Sequence, residues 1–548
     1  MQHAFIESYS FRMENLLDNM LEDGVTTIVV HTLSTMFFFV LLLNIFQYLI
    51  GKPRIPIRDV TKEHNWKSIK NETKAYYCSI CESLLLNVSG LLCDSCGVSA
   101  DPSCVKVADK QLKCKVITLN TNESMKHHWI KGNLPLNNIC EICNEECGVE
   151  LGLTDWWCCW CQRCVHEDCK PNLCNICDFG RFKLMIIPPN SLEVINLRST
   201  MRRRLHLRSV IPPNWPKWNP LIVVANRKSG NNDGAEILSL FRRLLNPAQV
   251  VDLSERDPVA ALEWCRLLGK ITCTVLVAGG DGTIAWLLNA IHKLGLEPVP
   301  SVAVIPLGTG NDLSRVLGWG KEHDPDKNPT DILQEIQVAQ KVELDRWCVT
   351  MKPHSGLRSL HQTFYMYNYL SIGVDAQVTL DFHRTRESRF YFYSSRLFNK
   401  LLYLCFGTQQ VVERECKDLD KNIELYLDDR KVDLPSIESI VILNIPSWAA
   451  GVNLWNMGLD DNGEYERQSI NDGKLEVVAL YSSFHMAQLQ IGMSQPFRLG
   501  QARHVKVKLT KSCAVQIDGE PWYQYPCEFD VTYCNKATML ANVINRTT

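Results

Sequence analysis

The stretch Val277-Ala278-Gly279-Gly280-Asp281-Gly282-Thr283 sets three glycines and one carboxylate between a β-branched run (271–277) and an apolar-periodic run (284–294). Glycines let a backbone approach a ligand closely, and the first turn of a helix offers unpaired N–H groups and a partial positive charge. Strand, glycine turn and helix together therefore cradle phosphate. A carboxylate in such a turn repels phosphate unless a cation lies between them, and magnesium is the natural cation. Two further turns repeat the design. Residues 221–225 read as a strand entering Asn226-Arg227-Lys228-Ser229-Gly230-Asn231-Asn232-Asp233-Gly234, with helical periodicity over 235–245. Residues 302–305 read as a strand entering Pro306-Leu307-Gly308-Thr309-Gly310-Asn311-Asp312, with a short helix behind. None of the three fits G-x-x-x-x-G-K-[ST] or G-x-G-x-x-G. Asp281 is thus the candidate metal-linked carboxylate. Asn226, Ser229, Gly230, Gly279, Gly280, Gly282, Thr283, Gly308, Thr309, Gly310 and Asn311 are the candidate phosphate contacts.

A second chemistry is carried by cysteine. Of 24 cysteines, sixteen fall between Cys78 and Cys177, mostly as C-x-x-C pairs. Thiolates two residues apart can share one tetrahedral zinc, whereas a disulfide scaffold implies a short secreted chain with a cleavable leader. The later cluster, His127, Cys140, Cys143, Cys158, Cys161, His166, Cys169 and Cys177, resembles a C1 domain with all eight ligand positions filled. That resemblance implies two interleaved sites, His127/Cys158/Cys161/Cys177 and Cys140/Cys143/His166/Cys169. Cys147, Cys159, Cys164 and Cys174 are spare. The earlier cluster, His64, Cys78, Cys81, Cys93, Cys96, Cys104 and Cys114, has similar spacing, with Asp101 where the second histidine is expected. A carboxylate can ligate zinc at a comparable distance. Pro and Gln residues typical of diacylglycerol-binding C1 fingers are missing around residues 75–92, so both fingers read as structural or docking modules.

The three glycine turns, with Glu343-Leu344-Asp345-Arg346-Trp347, Ser395-Arg396-x-x-Asn399-Lys400 and Gln516-Ile517-Asp518-Gly519-Glu520-Pro521-Trp522, resemble diacylglycerol kinases. The motifs stand in family order over roughly residues 220–530. NAD kinases and other lipid kinases share the Gly-Gly-Asp-Gly-Thr turn. The resemblance implies ATP, Mg2+ and diacylglycerol as ligands, with an active site in a cleft between an α/β domain and a β-rich domain. It also implies Glu520 as the general base that accepts the hydroxyl proton, with Asp281 the competing assignment. Arg396 and Lys400, four apart and so on one helix face, can reach the phosphates.

These groups must be positioned by several domains, which 548 residues and 46% hydrophobic content permit. A net charge of −2 argues against nucleic acid as the main partner. The expected fold is multidomain. Residues 1–51 form a leader and membrane segment (span about 25–45), 62–116 and 126–180 the two zinc fingers, and 181–217 a basic linker. Residues 218–347 form a doubly wound α/β catalytic domain and 362–535 a mainly antiparallel accessory domain, with strands at 367–372, 423–427, 440–445, 475–481, 505–509 and 514–517. From Gly24 to Gly51 there is no Asp, Glu, Lys or Arg. As a helix this run is roughly 40 Å long, enough to cross a bilayer core with tilt. Acidic residues precede it, and Lys52, Arg54, Arg58 and Lys62 follow, so the positive-inside rule puts every later domain in the cytoplasm. A re-entrant or monotopic helix on the same face is the alternative. The linker, with Arg198, Arg202, Arg203, Arg204 and Arg208 against Glu193, reads as solvated or as a contact for anionic headgroups. Asp324-x-Asp326-x-Asn328 reads as a polar loop.

The expected activity is transfer of the γ-phosphoryl group of ATP to the free hydroxyl of 1,2-diacylglycerol, giving phosphatidate and linking diacylglycerol signalling to phosphatidylinositol resynthesis. Zn2+, up to four ions, has a structural part. The order membrane segment, two C1 fingers and catalytic pair is similar to the epsilon type of diacylglycerol kinase, which implies a preference for arachidonoyl chains and a location at the endoplasmic reticulum or plasma membrane. Two alternatives stay open. One is a kinase for a sphingoid base, ceramide or monoacylglycerol. The other is a membrane-anchored zinc adaptor with an inactive kinase domain. The oligomeric state has no signature in the sequence.

Overall fold

The computed structural model describes residues 31, 33–42, 55–57, 64–69, 75–85, 90–119, 123–135, 138–198, 203–230, 232–353, 361–387, 416–459 and 465–543. The chain divides into two compact units, Met1–Arg54 and Ile55–Thr548. In the first, residues 33–42 are helical, and Met36, Phe37, Phe38 and Phe39 are exposed. The rest of the uncharged stretch 24–51, and so of the span expected at about 25–45, lies outside the described residues apart from His31. Among the described residues, no helix is long and apolar enough to cross a membrane.

In the second unit the catalytic region is built on β1 (Leu221–Ala225), α1 (Asp233–Leu244), β2 (Val250–Asp252), β3 (Thr274–Gly279), α2 (Asp281–Leu294), β4 (Ser301–Pro306) and the short α3 (Asp312–Val316). β1, β3 and β4 are buried at every position, the pattern of parallel strands covered on both faces. They are parallel in the order β2-β1-β3-β4. The chain order reverses between β1 and β3, and a crevice forms at the carboxyl ends beside such a switch point. All three glycine turns leave those ends.

The accessory region contains β5 (Gln340–Pro353), β6 (Gln362–Met366), β7 (Tyr369–Gly373), α4 (Val374–Glu387), β8 (Ile423–Leu427), β9 (Arg430–Val432) and β10 (Ser439–Leu443). It continues with β11 (Leu475–Leu480), β12 (Phe497–Ala502), β13 (His504–Leu509), β14 (Cys513–Ile517), β15 (Glu520–Gln524) and β16 (Cys527–Ala541). Six of these form an antiparallel sheet, β12-β11-β10-β7-β14-β15. The others extend the catalytic sheet as β4-β16-β13-β8-β9, with β5 on β16 and β6 on β5. The β5–β16 ladder runs from Gln340↔Ala541 to Pro353↔Cys527, with a bulge at Arg346/Trp347. β16 also meets β4, at Val302↔Met539. Residues 347 and 535, expected as the ends of the catalytic and accessory domains, lie within β5 and β16, which pair with each other. Trp347, Leu370, Val515 and Phe529 pack together between the two sheets.

The stretch expected as a basic linker contains two paired strands. Leu192–Arg198 pairs antiparallel with Arg203–Val210, which also pairs with Ile55–Ile57. The adjacent Arg203 and Arg204, with Arg198 and Arg208, masked the period of two. The fingers are not separate beads either. Trp157, Trp160, Phe179 and Phe182 join Trp218, Leu221 and Phe241 in one buried cluster. Gln249 ties the junction by donating to the carbonyls of Met185 (2.8 Å) and Leu221 (2.7 Å) and accepting the N–H of Ile187 (2.7 Å). In the polar loop, Asn328 caps the helix Pro329–Val338.

Candidate functional site

The first glycine turn is shaped by Asn226, whose side-chain oxygen accepts the Lys228 N–H (3.0 Å) and whose carbonyl accepts that of Ser229 (2.9 Å). The second and third turns lie back to back. A Cβ on Gly280 would stand 3.0 Å from the Cα of Gly308, so both positions need the bare backbone. Asn311 closes the third turn, accepting the Gly308 N–H (2.9 Å) and donating to the carbonyls of Gly308 and Lys321 (both 2.9 Å).

These turns line a cleft of about 730 Å³ with Lys228, Trp286, Asp312, Asn368, Tyr369, Phe382, His383, Asp518 and Glu520. Asn226, Ser229, Gly230, Gly280, Asp281, Gly282, Thr283, Gly308, Thr309 and Gly310 all face it, as expected. Two expected phosphate contacts do not. Gly279 is buried as the last residue of β3, and the Asn311 amide is buried and spent on the turn. Arg396, Lys400 and Asn231 lie outside the described residues.

Glu520 arrives from the other lobe. β14 and β15 are joined by Asp518-Gly519, both at positive φ (50° and 84°), which is a two-residue type I′ hairpin. This turn brings the Glu520 carboxylate over the start of α2, where Oε1 is 2.8 Å from the point a Cβ on Gly282 would occupy. Glu520 is exposed to the cleft. Asp518 is buried, and accepts the N–H groups of Tyr367 (2.8 Å), Asn368 (2.7 Å) and Tyr369 (3.1 Å). Asp281 accepts those of Asp312 and Leu313 (both 3.1 Å). Asp312 in turn accepts from the Ser447 hydroxyl (2.5 Å) and the Gly451 N–H (3.1 Å), across the lobes.

Two buried carboxylates, Asp312 and Asp518, thereby stand close to the half-buried Asp281. Burial raises the Asp281 carboxyl above its ordinary value, against the hydrogen bonds from Leu313 and Asp312. Asp312 is pushed up to about 6, by burial and then by the charge of Asp281. Asp518 is pushed up to about 7, by burial first, with the three backbone donors opposing and Asp281 adding repulsion. Oxygens of Asp281 and Asp312 both approach Gly310, at 3.6 and 3.3 Å from a Cβ built there. A divalent cation relieves this kind of crowding, so the donor set fits magnesium. Reading the sequence assigned no role to Lys228, Asp312 or Asp518, although each sits inside a turn already singled out. Unlike Lys228, Arg227 is taken by Asp252 (2.6 Å) and Glu255 (3.1 Å).

The cysteine clusters resolve into three tetrads and a separate trio among the described residues: His64/Cys93/Cys96/Cys114, His127/Cys158/Cys161/Cys177, Cys140/Cys143/His166/Cys169 and Cys78/Cys81/Cys104; a second trio, Cys147/Asp155/His166, shares His166 with the third tetrad. The interleaved second finger is as expected. Cys96 Sγ and Cys143 Sγ stand 3.3 Å from Nδ1 of His64 and His166, and Cys161 Sγ stands 3.5 Å from Nδ1 of His127. Ligands on a tetrahedral zinc are separated by roughly 3.5–3.8 Å, so the sets fit. Nε2 of His64 and of His166 face the carbonyls of Leu112 and Glu146 (both 3.1 Å), the outer contact that orients a ligating imidazole. Asp101 does not complete the Cys78/Cys81/Cys104 trio. Its carboxylate accepts the Ser103 N–H (2.8 Å) and hydroxyl (2.6 Å), and only its backbone N–H reaches Cys78 Sγ (3.3 Å).

A glycine-turn cleft on a doubly wound sheet, covered by a β lobe that adds a carboxylate, defines a class of phosphoryl-transfer protein. Residues 220–343 match the diacylglycerol kinase catalytic domain, and residues 365–521 match the diacylglycerol kinase accessory domain. The chain is 34% identical over 519 residues to "Probable diacylglycerol kinase 3" of Caenorhabditis elegans, covering 87% of this chain and 64% of the relative. It is 30% identical over 560 residues to "Diacylglycerol kinase 2" of Arabidopsis thaliana (82% and 78%), and 40% identical over 319 residues to "Diacylglycerol kinase theta" of Homo sapiens (56% and 33%). The chain belongs to the diacylglycerol kinase family.

Proposed function

We propose that this chain transfers the γ-phosphoryl group of ATP to the free hydroxyl of 1,2-diacylglycerol, giving phosphatidate and linking diacylglycerol signalling to phosphatidylinositol resynthesis. The observation that carries the reading is the placement of the Glu520 carboxylate over the first turn of α2, facing the glycine turns. Phosphoryl transfer is mostly positioning and charge stabilisation. The backbone of the three turns and Lys228 bind and orient the phosphates. Glu520 takes the hydroxyl proton as the new O–P bond forms and the bond to ADP breaks. Asp281, with Asp312 and Asp518 beside it, would hold magnesium, which when bound offsets phosphate charge. The Cys/His sets would hold zinc structurally. The test is phosphate transfer from labelled ATP by the purified chain to a panel of diacylglycerol, monoacylglycerol, ceramide and sphingoid bases. Transfer to another acceptor in preference to diacylglycerol, or no ATP turnover at all, sinks the reading.

The finer reading is the epsilon type, supported by the uncharged stretch 24–51 and the two fingers. It implies arachidonoyl preference, catalytic domains on the cytoplasmic face of the endoplasmic reticulum or plasma membrane, and contact with anionic lipids. Deleting residues 1–51 should release much of the protein from membranes with zinc content kept. Equal resistance to alkaline carbonate with and without that stretch places the anchor elsewhere.

A further inference from the structure

The zinc fingers hold the end of α1 that points away from the cleft. Lys115 follows the zinc-site residue Cys114 and is wholly buried. Its ammonium donates to the carbonyls of Arg243 (2.7 Å) and Leu245 (2.8 Å) and reaches that of Arg242 (3.4 Å). A helix leaves its last carbonyls without intrahelical partners, and a cation there also meets the negative end of the helix dipole. The same ammonium sits 4.3 Å from the Trp160 ring centre, and Trp160 lies between Cys158 and Cys161 of the second finger. One side chain thus joins both fingers to one helix end. Beside it Asp94, inside the Cys93–Cys96 knuckle and fully buried at its carboxylate, pairs with Arg242 of α1 (2.9 Å). The fingers also lock to each other, since a Cβ on Gly97 would strike Trp157 at 2.8 Å.

The opposite end of α1 belongs to the cleft. Gly234, in its first turn, lies so near the first glycine turn that a Cβ would stand 2.0 Å from the Asn226 carbonyl oxygen. The Gly234 N–H donates to the Ser229 carbonyl (3.1 Å). A twelve-residue α-helix moves as a stiff rod about 18 Å long, so a tilt at its last turn displaces its first.

We propose that Lys115 is a positioning residue for the nucleotide: by fixing the last turn of α1 to both fingers it sets the first glycine turn at Asn226–Gly230, so the fingers act on the reaction through ATP affinity. This rests on the reading of the cleft as an ATP site. Lys115→Met keeps length and bulk while removing the charge and the donors. In the purified full chain in detergent, with zinc content unchanged by atomic emission, ATP affinity by calorimetry and KM for ATP should weaken about tenfold, equivalent to ~1.4 kcal/mol. kcat and KM for diacylglycerol should change by less than about threefold. A merely architectural lysine would lower the active fraction or the melting temperature and leave ATP affinity alone, and that result overturns the proposal. Should Lys115→Met yield no folded protein, Lys115→Gln, which removes the charge but keeps one amide donor toward the α1 carbonyls, takes its place. Weaker ATP binding then supports the proposal and unchanged binding overturns it. If the wild-type chain binds no ATP in the same calorimeter, the ATP reading of the cleft falls instead.

Discussion

The α/β lobe has two faces that treat buried charge in opposite ways. On the finger face, Lys115 meets three carbonyls and a tryptophan ring, and Asp94 meets Arg242. On the cleft face, Asp281 and Asp312, with Asp518 reaching in from the other lobe, meet backbone N–H and hydroxyl donors together with one another's charge. Burying an ionisable group is costly unless opposite charge compensates. The finger face therefore holds a fixed shape, whereas the cleft face is held ready for a cation and a phosphate chain. The difference separates side chains kept for architecture from side chains kept for chemistry.

That contrast breaks most readily at Glu520. Glu520→Gln removes a proton acceptor while keeping shape, and kcat should fall by about 10²–10⁴-fold with KM for ATP little changed. Asp281→Asn should instead weaken Mg-ATP use, and added magnesium should restore part of it. Near-full kcat in the Glu520 variant, with loss of kcat alone in the Asp281 variant and no magnesium effect, would transfer the base to Asp281. Next in size is Gly280→Asp, whose Cβ meets the Gly308 backbone at 3.0 Å and which adds a fifth carboxylate to the cleft. Activity should drop at least ~100-fold, about 2.7 kcal/mol of transition-state stabilisation. Near-normal turnover by a folded, zinc-loaded variant removes this loop from the phosphate site.

A smaller effect concerns pH. Asp312 and Asp518 have carboxyls raised to about 6 and about 7. Because each folded value lies above the unfolded one, their contribution to stability is full below about pH 4 and is lost as pH rises toward 6–7. Magnesium competes with the protons, so it should raise the melting temperature more at pH 8 than at pH 5. Equal shifts at both pH values would detach the cation from these carboxylates. The smallest change is expected at Asp101. Asp101→Ala should leave the zinc content of the purified protein unaltered, because the carboxylate is occupied by Ser103. Loss of one zinc per chain would return Asp101 to the ligand set.

What was legible in the sequence was local. Glycine turns, C-x-x-C pairs, the apolar run of β1 and the alternation of β8 declare themselves within a few residues, and the structure keeps them nearly to the residue. Lys115 and Asp518 were not legible, because nothing near either names its partner. Arg243 and Tyr367 reach them only after the chain has folded back. The paired strands within 192–210 hid behind their arginines. Asn311 misled for the opposite reason. It stands in a phosphate-type turn, yet its amide shapes that turn from behind.

β16 has a consequence for how the chain is made. It is synthesised long after β4, yet it covers the edge of β4 and zips along β5. While the ribosome is still producing the intervening strands, that edge stays open, and an open strand edge recruits other chains. Productive maturation therefore depends on holding the nascent chain apart from its neighbours until residues 527–541 emerge. A premature stop before that point should yield insoluble protein rather than a working catalytic fragment.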